Sequence, residues 1–236
     1  MPLRLVEVFG PTVQGEGPTI GRRCAFVRLG RCNLDCGKGP GATWACDTPY
    51  TWDWTRFDPA KELRTVPVPD VIGQVERMGV DRIVVTGGEP MIQRGGLTTL
   101  CVEAAARGWA VEIETNGTQP AWSALADAVE AFNVSPKLSN SGVPEERRLD
   151  FHALHSLYAT GKAWFKFVCA TTEDVEEAYQ VVEDADLPPG RVWIMPAGTE
   201  PRNLVDRWDL AEAAQVYGFN VTTRLHVLTW GDERGR

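Results

Sequence analysis

Seven short apolar runs, most of them rich in β-branched residues, recur along the chain, with amphipathic stretches between them. The runs are residues 24–30, Arg82-Ile-Val-Val-Thr86, Ala110-Val-Glu-Ile-Glu114, Ala131-Phe-Asn-Val134, Ala163-Trp-Phe-Lys-Phe-Val168, Arg191-Val-Trp-Ile-Met195 and Phe219-Asn-Val-Thr222. Helical patterns fall at 70–79, 96–108, 121–130, 147–160, 172–184 and 203–217, two of them opened by Pro69-Asp70 and Thr172-Glu-Asp174. This alternation predicts repeated βα units around a mainly parallel sheet, an α/β fold.

Sheets of this kind carry their functional loops at the carboxyl ends of the strands. A cysteine loop follows the first run, Thr86-Gly-Gly-Glu-Pro90 the second, Thr115-Asn-Gly117 the third and Ser135-Pro-Lys137 the fourth. One rim is therefore expected to collect them. No compositional break or long linker divides the 236 residues. A single domain over 1–236 is expected, with an irregular insertion at about 32–60. The closing Gly231-Asp-Glu-Arg-Gly-Arg236 reads as a mobile tail or a lid.

Acidic residues outnumber basic ones by 32 to 24, and no basic stripe is visible, which disfavours direct nucleic-acid binding. No apolar run approaches the ~20 residues of a membrane span. Met1-Pro-Leu-Arg-Leu-Val-Glu7 lacks the long apolar stretch of a secretory signal, so a cytoplasmic location without membrane attachment is expected.

In a reducing compartment, six cysteines argue for metal or catalysis over disulfides. Cys24, Cys101 and Cys169 sit in apolar patterns and read as small buried hydrophobes. Cys32, Cys36 and Cys46 share a glycine-rich loop. Three thiolates are one short of a closed zinc site, whereas an iron–sulfur cube held by three leaves one iron open. On spacing alone the two readings are even. Gly87-Gly88 allows close backbone approach to a ligand, or simply a tight turn. Glu112 reads as a solvated strand-end charge.

Phe9-Gly-Pro-Thr-Val-Gln-Gly-Glu-Gly17, Phe26-Val-Arg-Leu29, Cys32-Asn-Leu-Asp-Cys36 and Cys46-Asp-Thr48 together resemble the 7-carboxy-7-deazaguanine synthase family of the radical S-adenosylmethionine superfamily. Thr86-Gly-Gly-Glu-Pro90, Glu114-Thr-Asn-Gly117, Ser135-Pro-Lys137 and Leu225-His-Val-Leu-Thr-Trp-Gly-Asp-Glu-Arg-Gly235 extend the resemblance over nearly the whole chain, in order. One departure stands out. The family spaces its cysteines Cys-x3-Cys-x2-Cys, and here nine residues separate Cys36 from Cys46. Gly37-Lys-Gly-Pro-Gly-Ala-Thr-Trp-Ala45 is mostly small or turn-forming, and lengthening a loop costs only about 0.6 kcal/mol per doubling. Cys46 keeps Asp47 and Thr48 beside it and aligns with the third ligand.

The resemblance implies a partial, open βα barrel and a carbon–nitrogen lyase. It would convert 6-carboxy-5,6,7,8-tetrahydropterin to 7-carboxy-7-deazaguanine with release of ammonia, in queuosine-type 7-deazapurine biosynthesis. It implies a 4Fe–4S cluster on Cys32, Cys36 and Cys46, with S-adenosylmethionine on Ala45, Asp47, Gly87, Gly88, Glu89, Glu114, Ser135 and Lys137. The pterin would lie on Val13, Gln14, Gly15, Glu16, Arg28, Thr86 and His226, and Mg²⁺ on Thr48. The radical chemistry belongs to the cofactor, so no side chain is expected as acid or base. A flavodoxin- or ferredoxin-type electron donor and a homodimer are further expectations. An arginine inside a barrel is costly without an anion, and a substrate carboxylate would account for Arg28. Two rivals remain at this point. A glycyl-radical activase would share the cysteine and glycine motifs but act on a protein; a zinc-stabilised, non-catalytic α/β binding module would need a fourth ligand.

Overall fold

Two-residue alternation sorts the side chains of the parallel strands onto two faces. Ala25, Val27, Ile83, Val85, Val111, Ile113, Phe132, Phe165, Phe167 and Ile194 join the hydrophobic core. Their alternates Arg28, Thr86, Glu112, Glu114, Asn133 and Lys166 fall on the opposite face. The chain thus builds one oily face for helices and one polar face for an interior.

The computed structural model describes residues 1–235; Arg236, the last of the expected tail, lies outside the described residues. Its strands are β1 Leu3–Val13, β2 Arg23–Leu29, β3 Arg64–Val66, β4 Arg82–Gly87, β5 Ala110–Thr115, β6 Ala131–Val134, β7 Ala163–Cys169, β8 Val192–Pro196 and β9 Asn220–Val221. The helices are α1 Pro59–Glu62, α2 Val68–Glu76, α3 Arg94–Ala106, α4 Ser123–Ala128, α5 Glu145–Arg148, α6 Phe151–Tyr158, α7 Thr172–Asp184, α8 Trp208–Val216 and α9 Leu225–Trp230. The strands form one nine-stranded sheet in the order β3-β1-β2-β4-β5-β6-β7-β8-β9. From β2 to β9 every neighbouring pair is parallel. β1 runs antiparallel to β2, and β3 antiparallel to β1. The sheet does not close on itself, and the open βα barrel is the architecture expected.

All seven expected strands are present within two residues of their bounds. β1 and β3 were not expected. β1 breaks register twice, between Leu5 and Glu7 and between Phe9 and Thr12, so its apolar alternation never accumulates. The helix expected over 147–160 is two: Asp150 accepts a hydrogen bond from the Ala153 amide at 2.9 Å and starts α6 afresh. That expected over 203–217 begins only at Trp208, because Asp206 takes φ +55°, outside any right-handed helix. α7 starts on a capping box between Thr171 and Asp174. No helix among the described residues is long and apolar enough to cross a membrane.

Candidate active site

The carboxyl ends of β2 and β4 to β8, joined by the 13–16 loop, the cysteine loop, α9 and the C-terminal segment, enclose a cavity of about 1060 Å³. Every residue the sequence assigns to cluster, cofactor, pterin or magnesium lines it, except Glu89.

The cysteines meet on one wall. Cys36 lies in an apolar patch with Leu34 and Val143, against which Cys32, Trp44 and Cys46 pack. Burial pushes the Cys32 thiol up to about 12 and that of Cys36 up to about 11. N–H groups point at the sulfurs: the Leu34 amide at Cys32 and the Trp52 indole at Cys46, each at 3.4 Å. Burial disfavours bare thiolates, while N–H groups aimed at sulfur suit sulfurs that carry negative charge, as metal-bound ones do. Among the described residues no three His, Cys, Asp or Glu side chains converge on one point as a single-ion site would need. A cube offers a separate iron to each thiolate, so its ligands need not converge.

The nine-residue excursion leaves and returns at one place. A Cβ on Gly37 would stand 2.8 Å from the Ala45 Cα and 3.2 Å from the Cys46 nitrogen. It is pinned by Gly37 N–H to the Ser141 carbonyl (2.8 Å), Thr43 N–H to the Asn140 carbonyl (2.9 Å) and the Trp44 indole to Asn140 Oδ1 (2.9 Å). Cys46 is thereby delivered beside Cys36 despite the insertion.

Gly87 and Gly88 line the cavity, but their small size has a nearer cause. Gly87 has φ +143°, and a side chain there would strike the Leu29 backbone; at Gly88 it would strike that of Arg31. The Gly88 and Glu89 amides donate to the Leu29 and Arg31 carbonyls, at 3.1 and 2.9 Å. The glycines dock this loop onto the root of the cysteine loop. Glu89 stands apart from the rest of the expected set: it is wholly buried and does not line the cavity. Its carboxylate accepts from the Met91 amide (2.9 Å), Thr115 Oγ1 (2.9 Å) and the Asn116 amide (2.7 Å), bracing the β4 and β5 loops against each other.

Glu114 accepts from Gln14 Nε2 at 3.2 Å and from Thr86 Oγ1 at 2.7 Å, joining three expected site residues. Ser135 accepts from Lys137 Nζ at 3.0 Å, and that ammonium lies 6.0 Å from the Trp44 ring centre. Thr48 Oγ1 is 3.7 Å from Cys46 Sγ. Gly15 makes room for His226: any Cβ there would overlap the imidazole. Burial holds His226 below its ordinary value, so it is neutral at neutral pH.

Two expectations about charge change. The anion beside Arg28 is the protein's own Glu7, whose Oε1 accepts from Nε at 2.8 Å, and the guanidinium also lies 5.3 Å from the Phe9 ring centre. Glu112 is not solvated but fully buried: it pairs with Arg82 and accepts from Thr19 Oγ1 (2.8 Å) and Asn133 Nδ2 (2.9 Å). Being two residues before Glu114, it faces the same interior, one layer lower.

Sequence reasoning missed Lys166 and Arg224. Both are buried, and both grip Glu16; Arg224 Nε lies 3.0 Å from Glu16 Oε1. Burial opposes the Glu16 charge, but Lys166, Arg224 and His226 outweigh it and hold the carboxyl well below its ordinary range. Lys166 had a local signal, a lone charge inside an apolar strand. Arg224 had none. The C-terminal segment also lines the cavity, with Arg234 paired to Glu7 and Glu62, each at 3.0 Å, and 3.9 Å from the Tyr50 ring centre.

A scan against protein-family models returns no match. Among curated proteins, the 7-carboxy-7-deazaguanine synthase of Pyrobaculum aerophilum is 38% identical over 99% of this chain and 97% of its own length. That of Hyperthermus butylicus is 34% identical over 96% and 92%. Among solved structures, QueE from Escherichia coli superposes with a TM-score of 0.68 over 95% of both chains at 23% identity, a likeness of fold. At 38% identity over nearly its full length, this chain belongs to the 7-carboxy-7-deazaguanine synthase family.

Proposed function

We infer that this chain contracts the ring of 6-carboxy-5,6,7,8-tetrahydropterin to 7-carboxy-7-deazaguanine with release of ammonia, as a lyase of the radical S-adenosylmethionine superfamily. One observation carries the reading in a chain of this family: the three cysteines and the Gln14–Glu16, Arg28 and His226 set line a single cavity. A small planar substrate fits that enclosure.

Cys32, Cys36 and Cys46 would hold a 4Fe–4S cluster, and their shared apolar wall with N–H groups aimed at sulfur suits that donor set. Gly87, Gly88, Glu114, Ser135 and Lys137 would hold S-adenosylmethionine, with Ala45 and Asp47 beside the third ligand. Together these two groups supply, when bound, a reversible source of an adenosyl radical. Thr48 would contribute one oxygen to a Mg²⁺ ion that otherwise keeps water and substrate ligands.

The protein's own part is to bind, orient and exclude water. Glu16 is held as an anion and offers acceptors to the amidine-like edge of a pterin; Lys166 and Arg224 keep it charged. Gln14 is fixed by Glu114 at the same edge. Arg28 faces the cavity from β2 and would take the substrate carboxylate, with the neutral imidazole of His226 on the same ligand. Asn133 adds an orphan: its Nδ2 donates to Glu112, and its buried Oδ1 has no partner among the described residues.

A cytoplasmic location, a flavodoxin- or ferredoxin-type donor, a single domain and a homodimer are part of the same proposal. Anaerobic incubation with the carboxy-tetrahydropterin, S-adenosylmethionine and a reductant tests it, and a deazapurine carboxylate with one ammonia per turnover is the expected product. Cofactor cleavage without any deazapurine would reject the substrate assignment.

A further inference from the structure

Arg224 connects three segments that are far apart in sequence. Its Nε donates to Glu16 Oε1 at 3.0 Å, its Nη1 to the Gly198 carbonyl at 2.8 Å, and its Nη2 to Asp47. Glu16 belongs to the pterin loop, Asp47 stands between Cys46 and Thr48, and Gly198 lies in the loop after β8. Arg224 itself is 8% exposed.

Charge neutralisation alone does not explain this placement. Glu16 already has Lys166 as a counter-ion. The Asp47 side chain is 40% exposed, so water already solvates part of it. What the arginine adds is geometry. A guanidinium is planar with its N–H directions fixed, so two carboxylates bound to its different nitrogens cannot shift relative to each other without losing a charge-assisted bond.

We propose that Arg224 is a positioning residue that couples occupation of the pterin subsite to the placement of the Cys46–Thr48 segment. This rests on the functional reading above. A pterin that orders Glu16 orders Asp47 through the shared guanidinium, and with it the third cysteine and Thr48. Linkage makes the effect reciprocal: each ligand tightens the other by the same factor, within the usual range of about 5–150-fold.

The test uses cluster-loaded protein without reductant, so that binding is read without turnover. Calorimetry gives the affinity for carboxy-tetrahydropterin with and without S-adenosylmethionine, and the converse. The wild type is expected to show a ratio of at least about fivefold. Arg224→Lys keeps a charge beside Glu16 but cannot span both carboxylates, and should bring the ratio to about one with iron and sulfide content unchanged. Amide exchange over residues 42–48 should slow on pterin addition in the wild type and not in the variant. If Arg224→Lys fails to fold, Asp47→Ala, which keeps the arginine and removes its outer link, should bring the ratio to about one whatever it does to the affinity for S-adenosylmethionine alone. An equal ratio in wild type and variant, or a wild-type ratio of one, would overturn the proposal. Wild-type protein that binds no pterin would instead overturn the functional reading.

Discussion

Arg28 lines the cavity and already carries an anion of the protein's own. The sequence requires an anion for a guanidinium inside a barrel, and the structure supplies Glu7 from the neighbouring strand. Arg28 is thus held in place before a ligand arrives. Arg28→Ala should weaken pterin binding by about 1.5–3 kcal/mol, the scale of a hydrogen bond to a charged group, with iron content unchanged. Calorimetry on the cluster-loaded protein measures it; an unaltered affinity would remove Arg28 from the substrate site. Glu89 makes the opposite case, since its three donors are all protein groups. In Glu89→Gln one oxygen becomes a donor facing donors, which should cost about 1–3 kcal/mol in a urea titration. A purely ligand-binding Glu89 would leave stability alone.

The excursion between Cys36 and Cys46 belongs to the scale of elements, where its tip docks onto the 140–142 turn. A Cβ on Gly39 would run into the Gly142 carbonyl, a backbone group that cannot step aside. Gly39→Ala should therefore lift the excursion off that turn, at a cost of about 1–3 kcal/mol typical of overpacking. Iron incorporation during anaerobic reconstitution should fall with it; full incorporation at wild-type stability would mean the turn does not support the ligand loop. Legibility divides at this same scale. Strands β2 and β4 to β9 were readable because a short apolar, β-branched run is a local signal that survives in sequence, and the rim follows from parallel topology. β1 was not, because two breaks of register erase the alternation over Leu3–Val13. The docking turn was not readable either, since Asn140 and Trp44 meet across 96 residues with no pattern linking them.

The whole molecule places a network of charges inside its barrel, and no local rule could have found it: Glu16 meets Lys166 across 150 residues and Arg224 across 208. Its consequence is a stability that depends on pH. The Glu16 carboxyl, held below its ordinary value of 4.5 in the folded chain, binds protons less readily there than when unfolded. Its contribution is fully present above about pH 4.5 and is lost as pH falls through the folded value. His226, held below its ordinary 6.5 by burial, acts in the same direction: its neutral form is favoured in the fold, and stability erodes as pH falls below about 6.5. A shallow decline below pH 6.5 should therefore steepen below pH 4.5, as followed by urea midpoints across that range. Glu16→Gln leaves Lys166 buried without its anion and should cost about 3–5 kcal/mol at pH 7, while flattening the steep acid limb. His226→Gln should remove the shallow part and leave most of the steep one, which Lys166 and Arg224 maintain. An acid limb as steep in Glu16→Gln as in the wild type would show that the interior charges do not set the molecule's response to acid.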